Sequence, residues 1–355
     1  MSSTLTIALA SLGGVVLAGV IAHGAWQARR ADPKRAERRP ERIEPREPVM
    51  GDAPPSPADA DAAIALVDLQ SPAPERRPNR RAVPRLDALI DSIATLAIEA
   101  PIAGAQAIAH LPTTRRAGGK PFMIEGLNSA TGEWEVPAGG QRYGEFQAGV
   151  QLANRTGALN EIEYSEFVQK VQAFADAIGA MADFPDMLEA VASARELDQF
   201  AGAHDAQLAV QLRARAAAWS VGYIQQHAGR HGFVPGVVPG RLVMPAAEEG
   251  APPVLTLTFD SQAALADDPN LAAVRAVSLS FDVPQTDPKA EPFAAWQASA
   301  QALAQGMDAG VVDDHGRPLG HESFAAIGNE LGQLYSALEG RDLAAGSPAA
   351  RRLFS

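Results

Sequence analysis

From Leu5 to Trp26 the chain reads LTIALASLGGVVLAGVIAHGAW, with no Asp, Glu, Lys or Arg. At roughly 1.5 Å per residue such a stretch crosses the ~30 Å hydrocarbon layer of a bilayer, so it predicts one transmembrane helix. Only the amino terminus precedes it, whereas Arg29, Arg30, Lys34, Arg35, Arg38, Arg39, Arg42 and Arg46 follow. That asymmetry places residues 1–4 outside and the carboxyl side in the cytoplasm. A cleaved secretory signal would carry its charge ahead of the apolar run, so an uncleaved anchor is expected, with Trp26 at the interface.

The pattern then changes twice. Gln27 to Pro84 contains 11 prolines and runs of mixed charge with almost no aromatic residues, a composition that cannot bury enough surface to fold alone. It reads as a disordered tether reaching about 40 Å or more, with one apolar patch, Ile64 to Leu69, suited to docking or to a transient helix. Beyond it, alternating and helical periods mix, predicting an α+β class: antiparallel sheet with helices on one face, arranged as two copies.

In the second copy, residues 204–340, a strand puts Leu208, Val210 and Leu212 on one face and Gln207, Ala209 and Gln211 on the other. Two further strands alternate in the same way. Leu255, Leu257 and Phe259 oppose Thr256 and Thr258, and Val277, Leu279, Phe281 and Val283 oppose Ser278, Ser280 and Asp282. A strand in RLVMPA, helices near 222–230, 292–307 and 323–338, and a short strand around Val311 complete the pattern. The first copy, residues 85–203, follows a similar course. Strands are expected in Leu89–Pro101, Pro121–Asn128 and Glu145–Asn154, with helices in Ala103–Leu111, Ser165–Ala180 and Asp186–Phe200. The alternative is one larger domain with an unrelated first half. Residues 341–355 read as a tail.

Charge and chemistry narrow the function. The linker holds 12 Lys plus Arg against 10 Asp plus Glu, which leaves 18 against 32 beyond Pro84, so the folded part is acidic and a nucleic-acid partner is not expected. The chain has no cysteine, which removes disulfides, thiol catalysis and Cys-based metal sites. His227 and His231 stand at helical spacing but lack a metalloprotease glutamate, and Gly229 interrupts them. Asp313, Asp314 and His315 read as a charged turn, and Glu161, Glu163 and Glu166 as a solvated helix start. No phosphate-cradling loop or nucleophile elbow is present in the sequence, so neither metal, cofactor nor catalytic residue is assigned.

Several stretches are similar to one bacterial family. HGAWQARR from His23 resembles the junction between anchor and basic tail in the cell-division protein ZipA family. HGFVPGVVPGRLVMP from His231, PPVLTLTFD from Pro252, SLSFDVPQ from Ser278 and PFAAWQASAQALAQGMDAGVVDDHGRPL from Pro292 resemble its carboxyl-terminal domain, with Gly310, Asp313, Asp314 and Arg317 in the matching turn. The likeness covers Met1 to about Ala36 and Ala206 to Leu338, leaving Arg85 to Ala203 unaccounted for. The resemblance implies an inner-membrane protein whose cytoplasmic domain stacks three helices on one sheet face. The apolar opposite face would bind the carboxyl-terminal tail of the tubulin-like protein FtsZ at the septum, without chemistry. Here that face falls to Gln207, Ala209, Gln211, Thr256, Thr258, Asp260, Ser278 and Ser280, with Val238 and Leu242 as apolar additions, so it is more polar than the family pattern. A scaffold of the cell envelope that pairs with another protein or with itself is the rival expectation, and an enzyme with scattered carboxylates a distant third.

Overall fold

A computed structural model describes residues 85–266, 268 and 272–355. The expected anchor, Leu5–Trp26, and linker, Gln27–Pro84, lie outside them. Among the described residues no helix is long and apolar enough to cross a membrane.

Two antiparallel sheets account for the strands of any length, one in each half of the chain. The first half runs β1 (Asp91–Ala103), α1 (Gly104–His110), β2 (Arg116–Ala117), β3 (Lys120–Asn128), β4 (Trp134–Glu135) and β5 (Arg142–Gln151). It continues through β6 (Ala153–Asn154), β7 (Gly157–Ala158), α2 (Glu161–Ile178), β8 (Met181–Asp183) and α3 (Met187–His204). Its sheet has the order β2-β3-β5-β1-β8, with β4 added beside β3.

The second half runs β9 (Gln207–Ala214), α4 (Val221–Arg230), β10 (Val234–Pro235), β11 (Arg241–Met244), β12 (Leu255–Thr258) and the short α5 (Ser261–Ala264). Then come β13 (Ala276–Asp282), α6 (Pro292–Met307), β14 (Ala309–Val312), α7 (His321–Glu339) and α8 (Pro348–Leu353). Its sheet order is β10-β11-β12-β13-β9-β14. The shared part is the same path walked twice. The first strand (β1, β9) leads into a helix and lies between the strand that precedes the long helix (β5, β13) and the short strand that follows it (β8, β14). The expected strands and helices of both halves are all present within a few residues of their predicted ends.

Local sequence explains where the helices begin and end. The Asn160 side chain accepts from the Ile162 and Glu163 N–H groups while Glu163 reaches back to the Asn160 N–H, and Gly179, at φ 70°, closes α2. Between those caps Tyr164, Phe167, Val171, Phe174 and Ile178 recur at helical spacing and are buried. They cover Leu96, Phe122, Phe146 and Val150 of the first sheet, with Phe122–Phe167 and Phe146–Phe174 ring pairs each at 5.7 Å. Each such side chain contributes about 1.5–3 kcal/mol by leaving water.

The second core is built around two tryptophans. Trp296 of α6 meets Phe281 and Phe324 edge-on and donates its indole N–H to the Leu279 carbonyl at 3.0 Å, and Trp219 donates to Met307 at 2.9 Å. Both indoles are thereby buried without an orphaned donor. Helices α4, α6 and α7 supply Ile224, Leu303 and Leu331 to the side of the sheet that carries Val210, Leu212, Leu257 and Leu279.

Residues 341–355, expected as a tail, are instead part of the first core. Leu343, Ala350, Leu353 and Phe354 pack among the first-half residues. The Arg352 guanidinium forms a two-pronged pair with Asp91 at 2.5 and 2.8 Å, and Gln151 donates to the Arg352 carbonyl at 2.8 Å. The Asp91 side chain is fully buried there. The chain therefore returns from the second half to close the first, and its hydrophobic spacing is too short for a linear reading to reveal this.

Candidate functional site

Each sheet has one face under helices and one face turned away from them, and the two outward faces differ. On the second sheet, Thr256 pairs with Ser280, Thr258 with Ser278, Ser278 with Gln211, and Ser280 with Ala209. Register thus brings together Gln207, Ala209, Gln211, Thr256, Thr258, Ser278 and Ser280 on a single surface, as strand alternation anticipates. Of these, Gln207 and Ala209 are exposed, while Ser280 is buried at 7% exposure.

Three of the expected face residues lie elsewhere. Leu242 pairs with Leu257 and is buried in the core at 3% exposure, because β11 carries Arg241 and Val243, not Leu242, on the outward side. Val238 is not in a strand but in the turn between β10 and β11. Asp260 follows β12 and caps α5, accepting the Gln262 N–H at 2.9 Å.

Sequence reading missed what closes one end of this surface. Arg155, from the β6–β7 turn of the first half, pairs with Asp282 at 2.7 Å and with Asp205 at 2.5 Å. The Asp205 hydrogen bond and the Asp282 carboxylate raise the Arg155 pKa, while burial raises that of Asp282 against the opposing pull of Arg155. The signal was a lone arginine in a polar turn, which carries no information about a partner 127 positions on in the chain.

The outward face of the first sheet is more apolar. Ile93 pairs with Gly149, which pairs in turn with Met123, and Leu127 lies two positions along from Glu125 on the same side. Across Gly149 lies Leu86, the second residue of the described chain. A Cβ at position 149 would come within 2.4 Å of Leu86 Cδ2, so an added methyl would make the Leu86 side chain shift. The Leu86 N–H donates to Glu125 Oε1 at 3.2 Å, and Gln147 donates to Glu125 Oε2 at 2.9 Å. Leu86 is thus held on this face by its side chain and one backbone hydrogen bond. At the end of β1, where β8 pairs only with Thr95–Ala97, a cleft of about 420 Å³ opens between Asp91, Ser92, Ile93 and the α3 residues Glu189, Ser193 and Leu197.

The groups weighed for metal chemistry have other roles. Asp313, Asp314 and His315 offer ligand atoms within 4.8 Å of one another, but Asp313 is engaged by the Arg317 backbone and side chain, which hold its carboxyl below the usual range. His227 lies in α4 with its ring 4.3 Å from that of Tyr223, and His231 caps the helix end. Glu163 and Glu166 do more than start a helix: their carboxylates accept the Gly119 and Gly118 N–H groups at 2.8 Å each.

Fold and faces together define an α+β protein of two antiparallel sheets, each covered by helices on one side. No protein-family model matches the chain, and no curated protein matches it in sequence.

Proposed function

We propose that the chain is a non-enzymatic, membrane-tethered adaptor that binds the carboxyl-terminal tail of FtsZ at the cytoplasmic side of the inner membrane. The observation that carries this reading is the second half. The residues that resemble the ZipA family form a six-stranded antiparallel sheet with three long helices on one side, the arrangement that the resemblance implies. The outward face of the first sheet is the better seat for an apolar tail, since Ile93, Met123 and Leu127 lie there and Leu86 already occupies it. A short peptide gains affinity chiefly from apolar area, at about 25 cal/mol per Å², which the hydroxyls and amides of the second face do not provide.

The polarity of that second face favours a second reading, an envelope scaffold that pairs with another protein or with itself. Fluorescence anisotropy of a labelled FtsZ tail peptide titrated with the full chain in detergent micelles separates the two. Ala97 lies on the same side of β1 as Ile93 and pairs with Met181 of β8, so saturable binding, weakened by M181R or A97R and unaffected by A209R on the second face, is expected. No binding up to millimolar protein rejects the FtsZ reading, and sensitivity to A209R alone moves the site to the second sheet.

A further inference from the structure

The segment Val234–Gly240, made of β10 and the turn that follows it, presents three apolar side chains to solvent side by side. Val237 is fully exposed, and Val238 and Val234 are 55% and 46% exposed. The turn is nonetheless well fixed. Gly236 N–H donates to the Arg241 carbonyl at 2.8 Å, Arg241 N–H to Val238 at 3.1 Å, and Phe259 N–H to Gly240 at 2.9 Å. Gly240 sits at φ 77°, where a Cβ would be 2.6 Å from the Phe259 carbonyl oxygen, so the turn is pinned to the adjoining strand by a residue that must be glycine. Its valines are held outward by backbone bonds, and their exposure is a property of the ordered state.

Its electrostatic setting is equally distinct. In a chain of net charge −12, the 42 residues from Ala206 to Ala247 contain no Asp or Glu and include Arg213, Arg215, Arg230, Arg241, His227 and His231. Arg230 and His231 end the helix that leads into the turn, and Arg241 leaves it, exposed on the outward side of β11. Of the carboxylates that follow the turn, Glu248 pairs with Arg351 and Asp260 accepts the Gln262 N–H.

We propose that this turn is a membrane-contact element, in which Val234, Val237 and Val238 enter the headgroup boundary of an anionic bilayer while His231 and Arg241 meet lipid phosphates. A protruding apolar tip has no concavity for a partner side chain, whereas the soft boundary between headgroups and acyl chains accepts it without a preformed pocket. Each basic group near an anionic surface adds to the attraction, and the acidic remainder of the chain orients this end toward it. The proposal rests on the tethered reading above, since 84 residues outside the described structure, including the apolar run Leu5–Trp26, would keep the turn within reach of a bilayer.

The absence of cysteine makes a clean test possible. Full chain carrying V237C is labelled with the environment-sensitive dye NBD and reconstituted into vesicles of phosphatidylcholine alone or of equal parts phosphatidylcholine and phosphatidylglycerol. A chain labelled through I162C, at an exposed α2 position, serves as the reference. A several-fold, blue-shifted rise in NBD emission at position 237 on the anionic vesicles, quenched by brominated lipid and reduced by R241E, is expected, with no change at position 162. Equal emission at the two positions, or a rise that ignores the anionic lipid, overturns the proposal. Flotation of the vesicles reports the anchor separately: a chain that floats without the change at 237 defeats the turn alone, and a chain that does not float defeats the tethered reading.

Discussion

The two halves share the order of three neighbouring strands, β5-β1-β8 and β13-β9-β14, and differ in what they leave uncovered. In the first, an apolar strip around Gly149 is crossed by Leu86, and the helix α8 from the far end of the chain completes the core. In the second, the corresponding face is lined by threonine, serine, glutamine and alanine, and the apolar exposure has moved to the turn between β10 and β11. The covered sides are alike because burial dictates them: both need an unbroken apolar layer under their helices. The uncovered sides are released from that demand and can diverge, so a common path of the chain carries two surfaces of different chemistry.

The comparison is most readily broken at the closure of the first half. R352A leaves the Asp91 carboxylate buried without its partner and should cost about 3–5 kcal/mol. The loss should fall on the first half, with amide protection from hydrogen exchange in β9 and β13 persisting to higher urea than that in β1 and β5. Coincident loss would show that the halves unfold as a unit.

A smaller effect is expected at Lys120, whose ammonium is buried and donates to Asn154 at 2.7 Å, to Thr156 at 3.2 Å and to the Gly157 carbonyl at 2.5 Å. K120M removes these three bonds, leaving Asn154 Oδ1 only the Thr156 donors, and should cost about 2–3 kcal/mol. Burial lowers the Lys120 pKa, so the unfolded chain binds more protons as pH climbs from that depressed value toward the ordinary lysine value. Wild-type stability therefore gains a rising component across that interval, which K120M should lack in denaturation curves taken at successive pH values. The second sheet has no buried lysine to produce it among the described residues.

G149A sharpens the contrast between the outward faces. The added methyl displaces Leu86 and should cost about 1–3 kcal/mol, whereas S278A on the second face should change stability by less than about 0.5 kcal/mol. Urea midpoints of the two variants decide it; equal costs would mean that the second face is also tightly covered. The smallest effect belongs to Tyr335, which packs against both cores and has a buried hydroxyl with no partner. Burial pushes its pKa up to about 12, and Y335F, which removes an unsatisfied polar group, should be neutral or slightly stabilising by thermal melting.

Much of this was readable along the chain. Alternation in β9, β12 and β13 separated Val210, Leu257 and Leu279 from Gln211, Thr256 and Ser278, because a period of two sorts residues onto faces whenever one face is apolar and the other is not. It failed at β11, where Leu242, Val243 and Met244 are consecutive apolar residues and the pattern does not say which of them points inward. Leu242 was settled by its pairing with Leu257, a fact of register between strands. Arg155 and Asp282, and Arg352 and Asp91, were equally silent, since a charge's partner across 127 or 261 positions leaves no mark on local periodicity.

By itself the sequence determined the kinds and order of the elements up to residue 340 and most of the residues that they bury, because these follow from local backbone preference and the removal of apolar side chains from water. The tertiary structure alone decided that the last residues close the first half, that Leu86 crosses Gly149, and that three valines are held in solvent by the bonds of one turn. Those outcomes depend on which segments meet in space, and contacts between distant segments are settled only when the whole chain is packed.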